Sequence, residues 1–86
     1  MYGVSFERRC LRDLRRLDPP VARRAIELIK RVVAVDPHSG KALTGRYKGL
    51  WSYRFSDYRI VYEIRRREVA IVVLRVRHRR QVYDGL

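Results

Sequence analysis

The chain reads as an α+β domain with element order β-α-α-β-β-β, a mostly antiparallel sheet carrying a helical hairpin on one face. Three observations predict it. Apolar residues recur at helical spacing through two early segments, and the period changes to two from Trp51. A nearly continuous apolar run then follows from Val69 to Val76. With 86 residues the chain has room for one core and not two, so residues 1–86 are read as a single domain.

Tyr2 to Ser5 alternate mildly and suit a short first strand. Ser5 can cap a helix, with Glu7 in its first turn at the positive end of the dipole. Phe6, Cys10, Leu14 and Leu17 then form an apolar stripe, while Arg8, Arg9, Arg12, Asp13, Arg15 and Arg16 fill the other face. Asp18-Pro19-Pro20 ends this helix, and Pro20 is the expected first position of the next. Ala22, Ala25, Ile26, Ile29, Val32 and Val33 make the second stripe, which Asp36 to Gly40 terminate. The arginines of both helices are read as surface charge that faces solvent or a partner.

After a polar link from Lys41 to Leu50, Trp51, Tyr53 and Phe55 alternate with Ser52, Arg54 and Ser56. Ser56-Asp57 suits a tight turn. Tyr58, Ile60, Tyr62 and Ile64 then alternate with Arg59, Val61, Glu63 and Arg65. If the aromatic and isoleucine set faces the helices, Ser52, Arg54 and Arg59 share the opposite, uncovered face, because strand side chains alternate. The run Val69 to Val76 suits a central strand covered on both sides.

The charge balance is lopsided: 21 Lys and Arg against 9 Asp and Glu give a formal net charge of +12, with Lys30, Lys41 and Lys48 the only lysines. Such an excess repels itself and suits a polyanionic partner, either nucleic acid or an acidic protein. The single cysteine, Cys10, rules out an internal disulfide and falls on an apolar stripe, which implies a buried thiol. His38 and His78 lack companions at metal-ligand spacing, so neither a metal nor a cofactor is expected. No apolar run approaches the ~18 residues of a membrane span and no signal-peptide pattern appears, which gives the expectation of a cytoplasmic protein without membrane association.

A sheet core does not require arginines at defined positions on its outer face. Arg54 and Arg59, with the basic cluster Arg75 to Arg80 and Tyr83 behind it, come from separated parts of the chain and can converge on one concave patch. Guanidinium groups beside a tyrosine are suited to gripping phosphate and stabilising charge on it. Trp51, Tyr53, Tyr58 and Tyr62 are read as core, and Arg59 has the competing option of an ordinary surface pair with Glu63 or Asp57.

The block GLWSYRFSDYRIVYEI, followed by IVVLRVRHRRQVY, resembles the C-terminal half of RelE-type toxins of the RelE/ParE superfamily. The most specific pieces are Tyr58-Arg59-Ile60-Val61-Tyr62 and the ending from Val76 to Tyr83. The resemblance implies a RelE-like fold and a type II toxin–antitoxin toxin. Such a toxin cleaves mRNA in the ribosomal A site by metal-free attack of the ribose 2′-OH on the adjacent phosphate. It also implies a RelB-like antitoxin partner, with the ribosome and mRNA as targets. Matched to the family, Arg54 stands at a strand lysine or arginine of the site and Arg59 at the arginine of the Tyr-Arg-x-x-Tyr segment. Arg79 stands at the leaving-group arginine, and Tyr83 at an aromatic that stacks on or orients substrate. Ser52 departs from the pattern, because well-studied relatives carry there a lysine proposed to activate the 2′-OH. A serine hydroxyl is a poor general base near neutral pH. Lys48 and His78 are candidate substitutes, and Arg77 a candidate substrate-binding residue.

Two other functions fit the same residues. One is a ParE-like, non-enzymatic inhibitor of DNA gyrase on the same scaffold. The other is a basic nucleic-acid-binding module without toxicity, whose binding falls steeply with salt.

Overall fold

The computed structural model describes all 86 residues. Its elements are β1 (Gly3–Phe6), α1 (Arg8–Arg16), α2 (Pro19–Leu28), β2 (Lys41–Ala42), β3 (Leu50–Phe55), β4 (Tyr58–Arg65) and β5 (Ala70–His78). The strands form one sheet in the order β1-β5-β4-β3-β2. β1 lies parallel to β5, while β2 to β5 pair antiparallel to one another. The predicted α+β class and helical hairpin are therefore present, with a two-residue strand added in the segment read as a plain link.

The helix starts differ from the expected ones for backbone reasons. Ser5 does not cap α1, because it lies in β1 opposite Val72. Glu7, in extended backbone, holds the N-cap position without a side-chain cap bond, and its carboxylate instead accepts from Arg9 Nε at 2.8 Å. α2 begins at Pro19 rather than Pro20. Asp18 takes the extended conformation forced on a residue before proline, and Pro19 then supplies a helical φ at once. α2 continues into a π-helical turn, Ile29–Val33, where Ala34 N–H donates to the Ile29 carbonyl at 2.8 Å.

The strand alternation fell as read. Ile60 and Tyr62 are fully buried under the helices beside Cys10, Ala25, Ile29 and Val33, with Trp51, Tyr53, Phe55 and Ile64 packed around them. At about 25 cal/mol per Å² of apolar area removed from water, this face is the main source of stability. Tyr62 also holds the chain after α2, donating its hydroxyl to the Pro37 carbonyl at 2.5 Å. Gly40 passes so close to the Tyr62 hydroxyl and the Ser52 carbonyl that a Cβ there would collide with both. That approach seats Lys41 opposite Ser52 and Ala42 opposite Trp51.

The far face is less open than the sequence suggested. Val61, Val72, Leu74 and Val82 form a second small core, against which Leu43, Leu50, Tyr83 and Leu86 pack. The reason lies in β5, whose unbroken apolar run presents hydrophobic residues on both sides. The C-terminal segment folds back to cover the second side, so Val82 is fully buried.

Arg75 leaves the basic cluster altogether. Past the end of β1 the edge of β5 is free, and the buried carboxylate of Asp13 from α1 occupies it. Asp13 accepts from Arg75 Nε at 2.8 Å, Arg75 Nη2 at 2.9 Å and Val76 N–H at 3.2 Å. This fork holds the guanidinium charged, its pKa raised by the hydrogen bonds to Asp13.

Candidate active site

On the far face, beyond the second core, two adjoining hollows of about 580 Å³ and about 500 Å³ share Lys41, Ser52 and Arg59. The larger is completed by Ala42, Leu43, Thr44, Arg79, Arg80 and Tyr83. The smaller is completed by Ser39, Gly40, Tyr53 and Arg54. Together they make one groove crossing the sheet from the C-terminal segment to the β2 edge.

The sheet register places its charges. Arg54 stands directly opposite Arg59 on β4, and Arg59 directly opposite Arg77 on β5. Three arginines therefore share one rung across three strands, with the Arg77 guanidinium turned away toward Asp13. Like charges facing each other across strands are destabilising. Arg54, Arg59, Arg79, Arg80 and Lys41 have no carboxylate within ion-pair distance, because the acidic side chains pair elsewhere or stand apart. In particular Glu63 is taken by Arg65 at 2.8 Å, so the surface pair considered for Arg59 does not form.

Arg79 lies beyond the last strand and is fixed by its backbone. Its N–H donates to the Asp57 carbonyl at 2.7 Å, tying the C-terminal segment to the β3–β4 turn. That turn is tight because Ser56, the first of its two central residues, adopts a positive φ of 51°. Tyr83 forms a wall of the larger hollow and stacks on Tyr47, with ring centroids 5.1 Å apart.

Of the residues singled out in the sequence, Arg54, Arg59, Arg79, Tyr83 and Ser52 thus line the groove. Three others do not. Lys48 is exposed after the short 3-10 turn Gly45–Tyr47, outside the lining. Arg77 turns toward Asp13, 3.9 Å away, and Gln81, 3.4 Å away. His78 shares the helix-side face with Tyr58, its ring edge-on to that tyrosine at 5.7 Å, and its Nδ1 accepts from Arg80 N–H at 3.2 Å. Neither Lys48 nor His78 therefore stands beside Ser52.

Ser52 itself is 4% exposed, and its Oγ is buried without any hydrogen-bond partner. An orphaned buried hydroxyl costs about 1–3 kcal/mol, so Ser52 is unfavourable to stability where it stands. Arg80, from the basic cluster expected to reach the patch, lines the groove as well, whereas Lys41 and Thr44 as lining and Tyr47 as the support for Tyr83 were not legible in the sequence. Lys41 carried no signal of its own, since only the pairing of β2 with β3 brings it to Ser52.

A model of the ParE toxin of type II toxin–antitoxin systems (parDE) matches residues 4–83. Toxin RelG of Mycobacterium tuberculosis is 32% identical over 83 residues, covering 95% of each chain. Toxin RelE of the same organism is 38% identical over 64 residues, covering 73% of this chain and 66% of the relative. Among solved structures, the RelBE2 toxin–antitoxin complex of Mycobacterium tuberculosis superposes with a TM-score of 0.86 at 32% identity, over 90% of this chain and 96% of the other. The isolated RelE toxin of E. coli shares the fold, with a TM-score of 0.75 at 22% identity over 91% and 84% of the two chains.

Proposed function

The chain belongs to the ParE toxin family of type II toxin–antitoxin systems, with RelE-type toxins among its relatives, and we propose that it is a ribosome-dependent endoribonuclease that cleaves mRNA in the A site. One observation carries the reading: Arg54, Arg59 and Arg79 bring uncompensated guanidiniums into a single groove whose wall is Tyr83. A surface selected for stability alone gains nothing from that arrangement, whereas a phosphodiester dianion in the transition state does.

The reaction needs in-line geometry and charge stabilisation. The ribose 2′-oxygen forms a bond to phosphorus as the bond from phosphorus to the 5′-oxygen breaks. The 2′ proton passes to water and the departing 5′-oxygen takes a proton from water. A 2′,3′-cyclic phosphate and a 5′-hydroxyl result. Charge grows on the non-bridging oxygens, where Arg54 and Arg59 hold fixed positive charge. Arg79, anchored through its backbone to Asp57, faces the leaving oxygen. Arginine stays protonated at working pH, so these groups act as electrostatic clamps rather than proton carriers. Tyr83 orients the neighbouring base by stacking, and the ribosome supplies the mRNA in an extended, attack-ready path.

Its partner is a cognate antitoxin of RelB type, which the basic groove suits if the covering segment is acidic. The competing reading, inhibition of DNA gyrase without catalysis, draws on the ParE description of the matching family. The RelG and RelE relatives weigh on the nuclease side. The test is expression of Arg59→Ala and Arg79→Ala variants: both folded proteins are expected to lose growth arrest. Persisting arrest in both, with impaired supercoiling by gyrase, contradicts the nuclease reading.

A further inference from the structure

We infer that Lys41 is a catalytic residue of this groove, delivering the site's only ammonium group to the scissile nucleotide from the edge strand beside Ser52. The inference deepens the nuclease reading and rests on it.

Four observations converge on Lys41. It lines both hollows, as only Ser52 and Arg59 also do, so it stands where they join. It is paired in register with Ser52 across β2 and β3. Residues so paired project to the same face with Cβ atoms about 4.5–5.5 Å apart. Lys41 makes no ion pair, so its charge is available. Finally, the side chain opposite it ends in a buried hydroxyl with no partner inside the protein.

The chemistry separates Lys41 from its neighbours. The other cations of the groove are planar guanidiniums suited to gripping two oxygens at once. An ammonium is a compact charge with three donors that can reach a single oxygen. A lysine emerging beside Ser52 can therefore hold its donor on the 2′-oxygen as negative charge develops there. Lys48 and Lys30 cannot serve, since neither reaches the groove. Gly40 is what permits the placement, because any side chain there would push β2 away from the Ser52 carbonyl.

The test is single-turnover cleavage of mRNA on programmed ribosomes with wild type, Lys41→Ala, Lys41→Ala/Ser52→Lys and Arg79→Ala. Lys41 is exposed, so its truncation leaves the fold intact, which circular dichroism checks. We expect Lys41→Ala to lower the maximal rate about 100-fold while half-saturation with ribosomes moves less than about fivefold. Moving the lysine across the register pair is expected to restore at least about tenfold of that loss. Wild-type cleavage with Lys41→Ala within about threefold of it overturns the assignment but not the nuclease reading. So does a loss confined to ribosome affinity, which would make Lys41 a docking charge. No cleavage by wild type removes the nuclease reading and this assignment with it.

Discussion

Arg54 on β3 and Arg59 on β4 face each other directly across the ladder, and no carboxylate lies between them. On its other side Arg59 has Arg77 in register, but that guanidinium turns toward Asp13. Like charges directly opposite one another, as on Arg54 and Arg59, are destabilising, on the scale of the about 0.2–1 kcal/mol that favourable cross-strand pairs contribute. Arg59→Gln is therefore expected to raise the melting temperature by a few degrees, since about 1 kcal/mol shifts a domain of this size by about 4–8 °C. The gain should shrink in high salt. Cleavage should fall at least about 100-fold in the same variant. Calorimetry beside a cleavage assay checks both halves, and an unchanged or lowered melting temperature contradicts the first.

Asp13 is expected to be the most consequential polar residue for stability. It binds Arg75 through both oxygens and closes the free edge of β5 at Val76. Its removal leaves a largely buried guanidinium and a backbone N–H unpaired. Asp13→Ala should cost about 3–5 kcal/mol, readable as a shift of the urea midpoint. Glu27→Ala, which removes the exposed Arg24–Glu27 pair, should cost less than about 1 kcal/mol. Equal effects from the two substitutions would contradict this account of the edge.

Burial lifts the Cys10 thiol from 9.0 to about 12, with Asp13 adding to the shift. Burial likewise lifts the Tyr62 hydroxyl from 10.0 to about 12. For both groups the folded state holds its proton after the unfolded chain has released its own. Their contribution to stability is thus complete below about pH 9 and is lost as pH rises toward 12. Denaturant midpoints should be flat from neutral pH to about 9 and then fall, less steeply in Cys10→Ala/Tyr62→Phe. The Cys10 thiol should resist alkylation at pH 8 until the protein unfolds.

Tyr47 should matter to activity without lining the groove. It stacks on Tyr83 at 5.1 Å, and such pairs contribute about 0.5–1.5 kcal/mol. Tyr47→Ala is expected to lower cleavage about three- to tenfold by freeing Tyr83, whereas Tyr47→Phe should be neutral. Identical losses in the two would point to the hydroxyl instead.

Most of the fold was legible because its signals are periodic. The stripes through Cys10 and Ile29 and the alternation from Trp51 to Ile64 assigned the helices, the strands and the buried face. Arg54, Arg59, Arg79 and Tyr83 were legible through their resemblance to a family pattern, and alternation alone gave Arg54 and Arg59 their face. What escaped depends on contacts distant in sequence. Ser5 looks like a cap until β1 pairs with β5, and Arg75 looks free until Asp13 reaches it from α1. Lys41 sits in a two-residue strand too short for any period, so only its pairing with Ser52 reveals it.

The most direct test of the central claim is primer extension on an mRNA incubated with purified protein, with and without programmed ribosomes. Cleavage that requires ribosomes and disappears in folded Arg79→Ala is the predicted result. Absence of cleavage by folded wild type, or cleavage that Arg79→Ala leaves intact, would contradict it.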